Sequence, residues 1–136
     1  MTVAVDPEGR GAMAIRITGV ASTAAGGIGA VANPEGVDIL ILRTTLLVLT
    51  PSTGSANIDI GVGAAAATDA TDIINALAMN GAITDKMYNG HAMQNTTKTE
   101  ITAPALWTTS KYICFTGSAT TVGLDAILFV EYVRGT

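Results

Sequence analysis

The segment VDILILRTTLLVLT, at positions 37–50, constrains the fold of this chain more than any other stretch. Its even-numbered apolar residues are Leu40, Leu42, Leu46 and Val48. Ile39 and Ile41 take the opposite parity. Because successive side chains of a strand point to opposite faces, this pattern predicts a strand with apolar residues on both faces. The segment is longer than the usual strand of about five to six residues, so we expect it to bend midway and to bury one face in an oligomer.

A second segment, AMAIRITGV at positions 12–20, has the alternation of a half-buried strand. Ile15 and Ile17 fall on one face, and Arg16 and Thr18 fall on the other. It is followed at positions 21–36 by ASTAAGGIGAVANPEG, which is rich in glycine and small residues. We therefore predict that residues 1–36 form an N-terminal strand and an extended, flexible arm that reaches toward a neighbour.

The segment NIDIGVG at positions 57–63 predicts another strand. Ile58, Ile60 and Val62 share one parity, whereas Asn57 and Asp59 share the other. The connection before it, TPSTGSAN, contains the Pro and Gly that are typical of a turn between antiparallel strands. We expect positions 57–63 to form a hairpin with positions 37–50.

The stretch after position 68 is the least strand-like part of the chain. Asp69 or Thr71 can cap a short helical turn whose apolar residues are Ile73, Ile74 and Leu77. Two Asn-Gly pairs, at positions 80 and 89, end any longer helix. This pattern predicts one or two helical turns within a long loop.

The C-terminal part returns to strand patterns. Extended segments are predicted at Ile101–Leu106, where Pro104 limits the strand, at Lys111–Thr116 and at Leu124–Arg134. Roughly six to eight strands separated by turns predict one all-β domain, an antiparallel β-sandwich or jelly roll. We assign residues 37–136 to the sandwich and residues 1–36 to the strand and arm.

Composition and charge reduce the number of function classes to consider. Hydrophobic residues make up 49% of the chain and charged residues 13%, so part of the surface is expected to be covered by partners. The net charge is −4 and the seven basic residues are scattered, which disfavours nucleic acid as a partner. No apolar run approaches the ~20 residues of a membrane-spanning helix, and the N-terminus lacks the pattern of a signal peptide. We expect synthesis in a cytoplasm and no contact with a membrane.

One motif resembles a dinucleotide-binding turn, because Gly61, Gly63 and Ala66 follow a strand with the spacing G-x-G-x-x-A. Such a site needs a strand that is buried on both faces, a helix after the glycines and further βαβ units. Asn57 and Asp59 make this strand one-sided, and no second βα unit follows. We interpret the glycines as the end of a strand where the chain leaves the sheet.

Other chemical candidates lack partners in the sequence. His91 has no second metal ligand at a suitable spacing, and Cys114, between Ile113 and Phe115, has the setting of a small core residue. The acidic residues of the TDATD segment and Asp85 do not have the spacing of a calcium loop. We therefore predict no catalytic, cofactor-binding or metal-binding residues, and a protein that is not an enzyme.

Contact with other proteins is a better use for several side chains. Met87 and the polar segment YNGHAMQN that follows it, with Tyr88 and Met93, suit an interface. The candidates that we select for contact with a partner are Tyr88, Met87, Met93, Trp107, Arg16 and Arg43. Trp107 and the tyrosines could also form a platform for sugars, although packing is the commoner use of so few aromatic residues.

The segment ANPEGVDILILRTTLLVLTPSTGSANIDIGVGAAAATDATDIINAL, at positions 32–77, resembles a family of small virion structural proteins of tailed bacteriophages, the head decoration or cement proteins. The shared features are the NPEG turn, the TPSTG and DIGV segments, and the KYI and AILFVEYVR segments near the C-terminus. The resemblance implies a β-sandwich or jelly roll on the outside of an icosahedral capsid. It implies homotrimers bound to the major capsid protein and transfers no functional residue.

Two other classes stay open. A receptor-binding or fibre-tip β-sandwich module would recognise a host-surface glycan through an exposed aromatic pocket. An enzyme or carbohydrate-binding jelly roll would need polar side chains that converge around Trp107, His91 and the Asp-rich loop.

Overall fold

The computed structural model describes residues 9–21, 27–80 and 105–135, together with the backbone of a strand at 86–90. These residues form nine strands and no helix, which confirms the prediction of an all-β protein. The strands are β1 (Arg10–Thr18), β2 (Gly29–Ala32), β3 (Ile39–Thr50), β4 (Asn57–Gly63), β5 (Ile74–Ala78), β6 (Lys86–Gly90), β7 (Ala105–Trp107), β8 (Tyr112–Gly117) and β9 (Asp125–Arg134).

The strands are arranged in two antiparallel sheets. Sheet 1 has the order β1-β9-β3-β6, and β7 also pairs with β3. Sheet 2 has the order β2-β8-β4-β5. The pairing is nested, because β1 pairs with β9, β2 with β8, β3 with β6 and β4 with β5. Strands from the two ends of the described chain therefore lie side by side.

Both sheets contribute to one hydrophobic core. Leu46 and Leu128 of sheet 1 and Ile58, Ile60 and Ile113 of sheet 2 are completely buried. Fully burying an aliphatic side chain of this kind stabilises the fold by about 1.5–3 kcal/mol relative to leaving it exposed. The shared core makes the arrangement sandwich-like, and it confirms the predicted inward positions of Ile58 and Ile60.

The predicted hairpin between positions 37–50 and 57–63 is wrong, because β3 lies in sheet 1 and β4 lies in sheet 2. The loop between β3 and β4 is hydrogen-bonded to Met79, the residue that follows β5. The backbone N–H of Ser52 donates to the carbonyl oxygen of Met79 at 2.7 Å, and the Ser52 hydroxyl donates to the same oxygen at 2.9 Å. Met79 N–H donates in turn to the Ala56 carbonyl at 2.8 Å. These bonds connect the segment between β3 and β4 to the residue that follows β5.

The long strand β3 carries an irregularity at Leu42. Its register with β9 shifts between Ile41 and Arg43, where β3 has one residue more than its partner. An extra residue reverses the faces of the side chains that follow it. Ile39 before the shift and Leu46 after it are therefore both buried, although the alternation predicts opposite faces for them.

The predicted helical turn after position 68 is replaced by a strand. Ile74 and Leu77, which the sequence assigns to that turn, belong to β5 and lie opposite Ile60 and Ile58. One extra residue in β5 opposes Asp59, and Ala76 there has a φ of 53°. Pairing with β4 thus overrides the local preference for a turn.

The N-terminal region is part of both sheets. β1 forms the edge of sheet 1 next to β9, and β2, within the stretch expected to be a flexible arm, pairs with β8. Ile17 is buried while Arg16 and Thr18 are exposed, as the alternation predicts. Positions 1–8 and 22–26 of the expected arm lie outside the described residues.

Two strands near the C-terminus confirm the predicted segments closely. β8 and β9 each begin one residue later than predicted, and β9 ends where predicted, at Arg134. β7 overlaps the predicted segment Ile101–Leu106 only at its end, because positions 101–104 lie outside the described residues.

Candidate contact surface

The outer face of sheet 1 combines exposed apolar groups with charged side chains. Along β9 the even-numbered residues from Ala126 to Tyr132 are buried, so the odd-numbered ones point away from the core. We define the contact face as the outward side chains of three adjacent strands: Ala12, Ala14 and Arg16 of β1; Asp125, Ile127, Phe129 and Glu131 of β9; and Arg43, Thr45 and Leu47 of β3.

Phe129 lies at the centre of the contact face. Its neighbours across the strands are Ala14 on β1 and Thr45 on β3. Phe129 is 39% exposed. The alanines Ala12 and Ala14 are too short to fill the space beside it, and a depression of about 460 Å³ results.

A second depression of about 480 Å³ lies alongside the first. The two share Ala12, Arg43 and Glu131 in their linings. Arg10 and Leu42 line the second depression only. Phe129 lines the first depression only, and the Arg43–Glu131 pair lines both.

Two ion pairs mark the charged parts of the contact face. The guanidinium of Arg16 makes two hydrogen bonds to Asp125, at 2.9 and 2.5 Å. Arg43 donates to Glu131 at 2.5 Å. Hydrogen bonding to these carboxylates raises the pKa of both arginines, so both guanidinium groups stay charged. Exposed ion pairs of this kind add little to folding stability because water screens them.

The structure places the predicted contact residues in different surroundings. Arg16 and Arg43 are exposed on the contact face, where their role in binding stays a prediction. Trp107 has no exposed surface, and its indole N–H donates to the Lys111 carbonyl at 3.0 Å. A side chain in this position packs the core and does not contact a partner or stack on a sugar.

The remaining candidates are only partly described. Met87 and Tyr88 belong to β6, whose backbone pairs with β3, and their side chains lie outside the described residues. Met93 and His91 lie outside the described residues altogether.

The sequence analysis does not select Phe129 and Ala14, which the structure places side by side on the contact face. The alternation in AILFVEYVR does contain the signal that Phe129 and Glu131 point outward. It does not show that β1, more than a hundred residues earlier, brings small alanines beside that ring.

The glycines of the G-x-G segment accommodate a loop that folds back over β4. A Cβ atom on Gly61 would lie 2.2 Å from a carboxylate oxygen of Asp72, and one on Gly63 would lie 2.4 Å from Cβ of Thr68. Asp72 also accepts a hydrogen bond of 2.6 Å from the backbone N–H of Val62. Gly61 and Gly63 thus lie within the sheet, and the space beside them is filled by the protein itself.

The other polar groups of this region hold the same loop in place. The Thr116 hydroxyl donates to Asp69 at 2.9 Å, and the Cys114 thiol donates to the Ala65 carbonyl at 3.3 Å. Burial raises the pKa of the Cys114 thiol, which keeps it protonated. Among the described residues, no group of three or more His, Cys, Asp or Glu side chains could hold a metal ion.

The NPEG turn is held in place by side-chain hydrogen bonds. In the NPEG turn, the Asn33 side chain donates to the carbonyl oxygens of Val37 and Trp107 and accepts from the backbone N–H of Glu35. The Glu35 carboxylate then binds Tyr132 and Arg134 of β9. The turn is therefore attached to the end of sheet 1.

Comparison of the chain with protein-family models, curated proteins and solved structures finds no match. Within the described ranges, no helix is long and apolar enough to cross a membrane.

Proposed function

We propose that this protein is a non-enzymatic structural component of a tailed-bacteriophage virion. In this proposal it decorates and cements the outer surface of the icosahedral capsid, bound to the major capsid protein and to further copies of itself. The observation that carries the proposal is the contact face, where Phe129 projects among small residues between two ion pairs. An aromatic centre with a charged rim is the usual composition of a protein interface. The homotrimer implied by the resemblance is part of this proposal.

The strand order supports a jelly roll as the finer description of the fold. With β7 set aside, eight strands form two four-stranded sheets, and they pair from the chain ends inward. A jelly roll is such an antiparallel ribbon wrapped into two sheets, and viral capsid domains commonly use it. This agrees with the fold that the resemblance to decoration proteins implies.

A cementing function requires many modest contacts and no chemistry. Each copy that bridges neighbouring capsid subunits adds interface area, and binding at several points raises the effective affinity well above that of one contact. A rigid sandwich-like domain suits this purpose, because little conformational entropy is lost when a preformed surface binds.

The alternative of a glycan-binding module at a fibre tip has weaker support. It needs exposed aromatic rings that converge on a pocket. Trp107 is buried, and Tyr132 is almost fully buried with its hydroxyl bound to Glu35. Among the described residues, these two rings therefore do not form a sugar platform.

The experiment that tests the proposal is binding to capsids. Purified protein is mixed with empty heads of the phage that encodes it, prepared without the protein, and the heads are pelleted. We expect the protein to pellet with the heads until the sites are saturated, and to be present in many copies in purified virions. Protein that stays in the supernatant and binds host cells instead would overturn the capsid assignment in favour of receptor binding.

A further inference from the structure

We propose that residues 64–72, the loop that folds back over β4, form a strap that opens while both sheets stay folded and thereby controls access to the Cys114 thiol. The proposal concerns a motion of the protein on its own. It uses none of the residues of the contact face, so it does not depend on the capsid assignment.

The strap covers the outward side of sheet 2. Ile60 and Phe115 lie opposite each other in the core, and the next pair, Gly61 and Cys114, has the opposite parity and faces away from the core. A Cβ atom on Gly61 would lie 2.6 Å from the carbonyl carbon of Ala70, so the backbone of the strap passes directly over this pair. Cys114 is completely buried although it faces outward, because the strap covers it.

Strap atoms lie against the thiol itself. The sulfur of Cys114 donates to the Ala65 carbonyl oxygen at 3.3 Å. Burial, and to a smaller extent the negative charge of Asp72, raises the pKa of the Cys114 thiol. Since the thiolate is the reactive form, the closed strap both covers the sulfur and keeps it unreactive. A reagent cannot enter between the sulfur and the Ala65 oxygen, so reaction at the sulfur requires the strap to move.

Hydrogen bonds hold the strap closed, with little apolar packing. Its sequence is AAAATDATD, which contains no apolar side chain larger than alanine, and the alanines at 64–67 are exposed. The Asp72 carboxylate accepts from the Val62 N–H at 2.6 Å, and the Asp69 carboxylate accepts from the Thr116 hydroxyl at 2.9 Å. Segments with few buried apolar contacts open locally at a lower free energy than the whole domain. The strap has the composition of such a segment.

The strand pairing of sheet 2 lies outside the strap. The pairing of β4 with β8 ends at Gly63, before the strap, and the pairing of β4 with β5 involves Ile74, after it. Between strap and β5, Ile73 is buried, and its backbone N–H donates to the Ile60 carbonyl at 3.0 Å. This contact fixes the chain where it rejoins the core. Opening of the strap therefore breaks its own hydrogen bonds and leaves the strand pairing intact.

Labelling of Cys114, the single cysteine of the chain, tests the proposal. With dithiobisnitrobenzoate, the thiol loses its proton, the sulfur forms a mixed disulfide with one half of the reagent, and the other half leaves as a coloured thiolate. The rate is measured at increasing urea below the unfolding transition and is divided by the rate for the unfolded chain. We expect slow labelling that hardly depends on urea, because opening a short strap exposes little surface.

Two variants separate opening of the strap from unfolding of the whole protein. Asp72→Ala removes the hydrogen bond to Val62 and should speed labelling at low urea by about tenfold. Ile17→Val is the matched control, at a residue of β1 that is 3% exposed. It lowers the stability of the whole fold by a comparable amount and should leave labelling at low urea unchanged. Circular dichroism checks that both variants are folded.

Three results would overturn the proposal. The first is labelling that rises from the lowest urea concentrations with the full slope of unfolding. The second is equal acceleration by Asp72→Ala and Ile17→Val, since both results mean that the thiol is reached only through unfolding. The third is a folded protein that is labelled as fast as the unfolded chain, which would mean that nothing covers the sulfur. A protein that is labelled as expected but does not bind capsids would contradict the proposed function and leave this inference standing.

Discussion

The carboxylate of Asp59 accepts a hydrogen bond of 2.5 Å from the backbone N–H of Ala76. The two residues face each other where β5 carries one residue more than β4, so the carboxylate takes the place of a missing backbone partner. Ala76 reaches this position with a φ of 53°, in the left-handed region that non-glycine residues rarely adopt. The bond and the backbone strain therefore act in opposite directions on the same residue.

Relief of that strain is the first prediction. Ala76→Gly should raise the free energy of unfolding by about 1 kcal/mol, because glycine adopts positive φ without a steric penalty. The measurement is urea denaturation. Ala78→Gly, in the same strand but with an ordinary φ, is the control and should lower stability by about 0.5–1 kcal/mol. If Ala76→Gly and Ala78→Gly lower the free energy of unfolding equally, backbone strain at Ala76 is contradicted.

Close packing of the loop over β4 leads to the second prediction. Gly61→Ala and Gly63→Ala should each lower the free energy of unfolding by about 1–3 kcal/mol. The added methyl group would lie closer to the loop than van der Waals contact allows. Gly54→Ala is the matched control, because a Cβ atom there would be 3.7 Å from its nearest neighbour, Thr120. If thermal or chemical denaturation shows that Gly54→Ala lowers stability as much as the other two variants, the close approach of the loop to Gly61 and Gly63 is refuted.

Two buried threonines should respond oppositely to the same substitution. Both Thr44 and Thr116 are 3% exposed. The Thr44 hydroxyl has no hydrogen-bond partner among the described residues, whereas the Thr116 hydroxyl donates to Asp69. Thr44→Val should therefore stabilise the protein by about 1 kcal/mol, and Thr116→Val should destabilise it by a similar amount. Chemical denaturation of both variants checks the sign, and a loss in Thr44→Val would reveal a partner for that hydroxyl.

Acid sensitivity is expected from Glu35. Hydrogen bonds from Arg134 and Tyr132 hold the pKa of the Glu35 carboxyl below its usual value. The unfolded chain then binds the proton more readily, so this contribution to stability is present above the ordinary glutamate range and is lost as the pH falls through the folded-state pKa. Denaturation midpoints measured across that range should fall less steeply for Glu35→Gln than for wild type. Tyr132→Phe, which removes only one of the two partners, should have an intermediate slope.

Several local features were predictable because they depend on neighbouring residues only. The alternation of Ile15 and Ile17 with Arg16 and Thr18 shows which side of β1 is buried. Likewise β8 and β9 follow from their β-branched and aromatic residues and the turn between them. Arg16 and Arg43, which the sequence analysis names as candidates for contact with a partner, are exposed in the structure, and their role in contact stays a prediction.

Features that depend on distant partners were not predictable from one sequence. The helical spacing of Ile73, Ile74 and Leu77 is locally reasonable, but the gain from pairing with β4 and packing on the core exceeds the weak preference for a turn. The predicted hairpin between β3 and β4 is wrong for a similar reason, since β4 pairs with the distant strand β8 and with β5 in sheet 2.

The sequence by itself determined that this chain is an all-β protein with little charge and with strands whose faces differ in polarity. Those properties follow from side-chain type and a period of two, which are local. Only the tertiary structure decided that β1 lies beside β9, that Trp107 is buried, and that Phe129 lies exposed between Ala14 and Thr45. Such neighbours are set by the nested pairing of strands far apart in the chain, because the free energy of that pairing belongs to the whole core and not to any one segment.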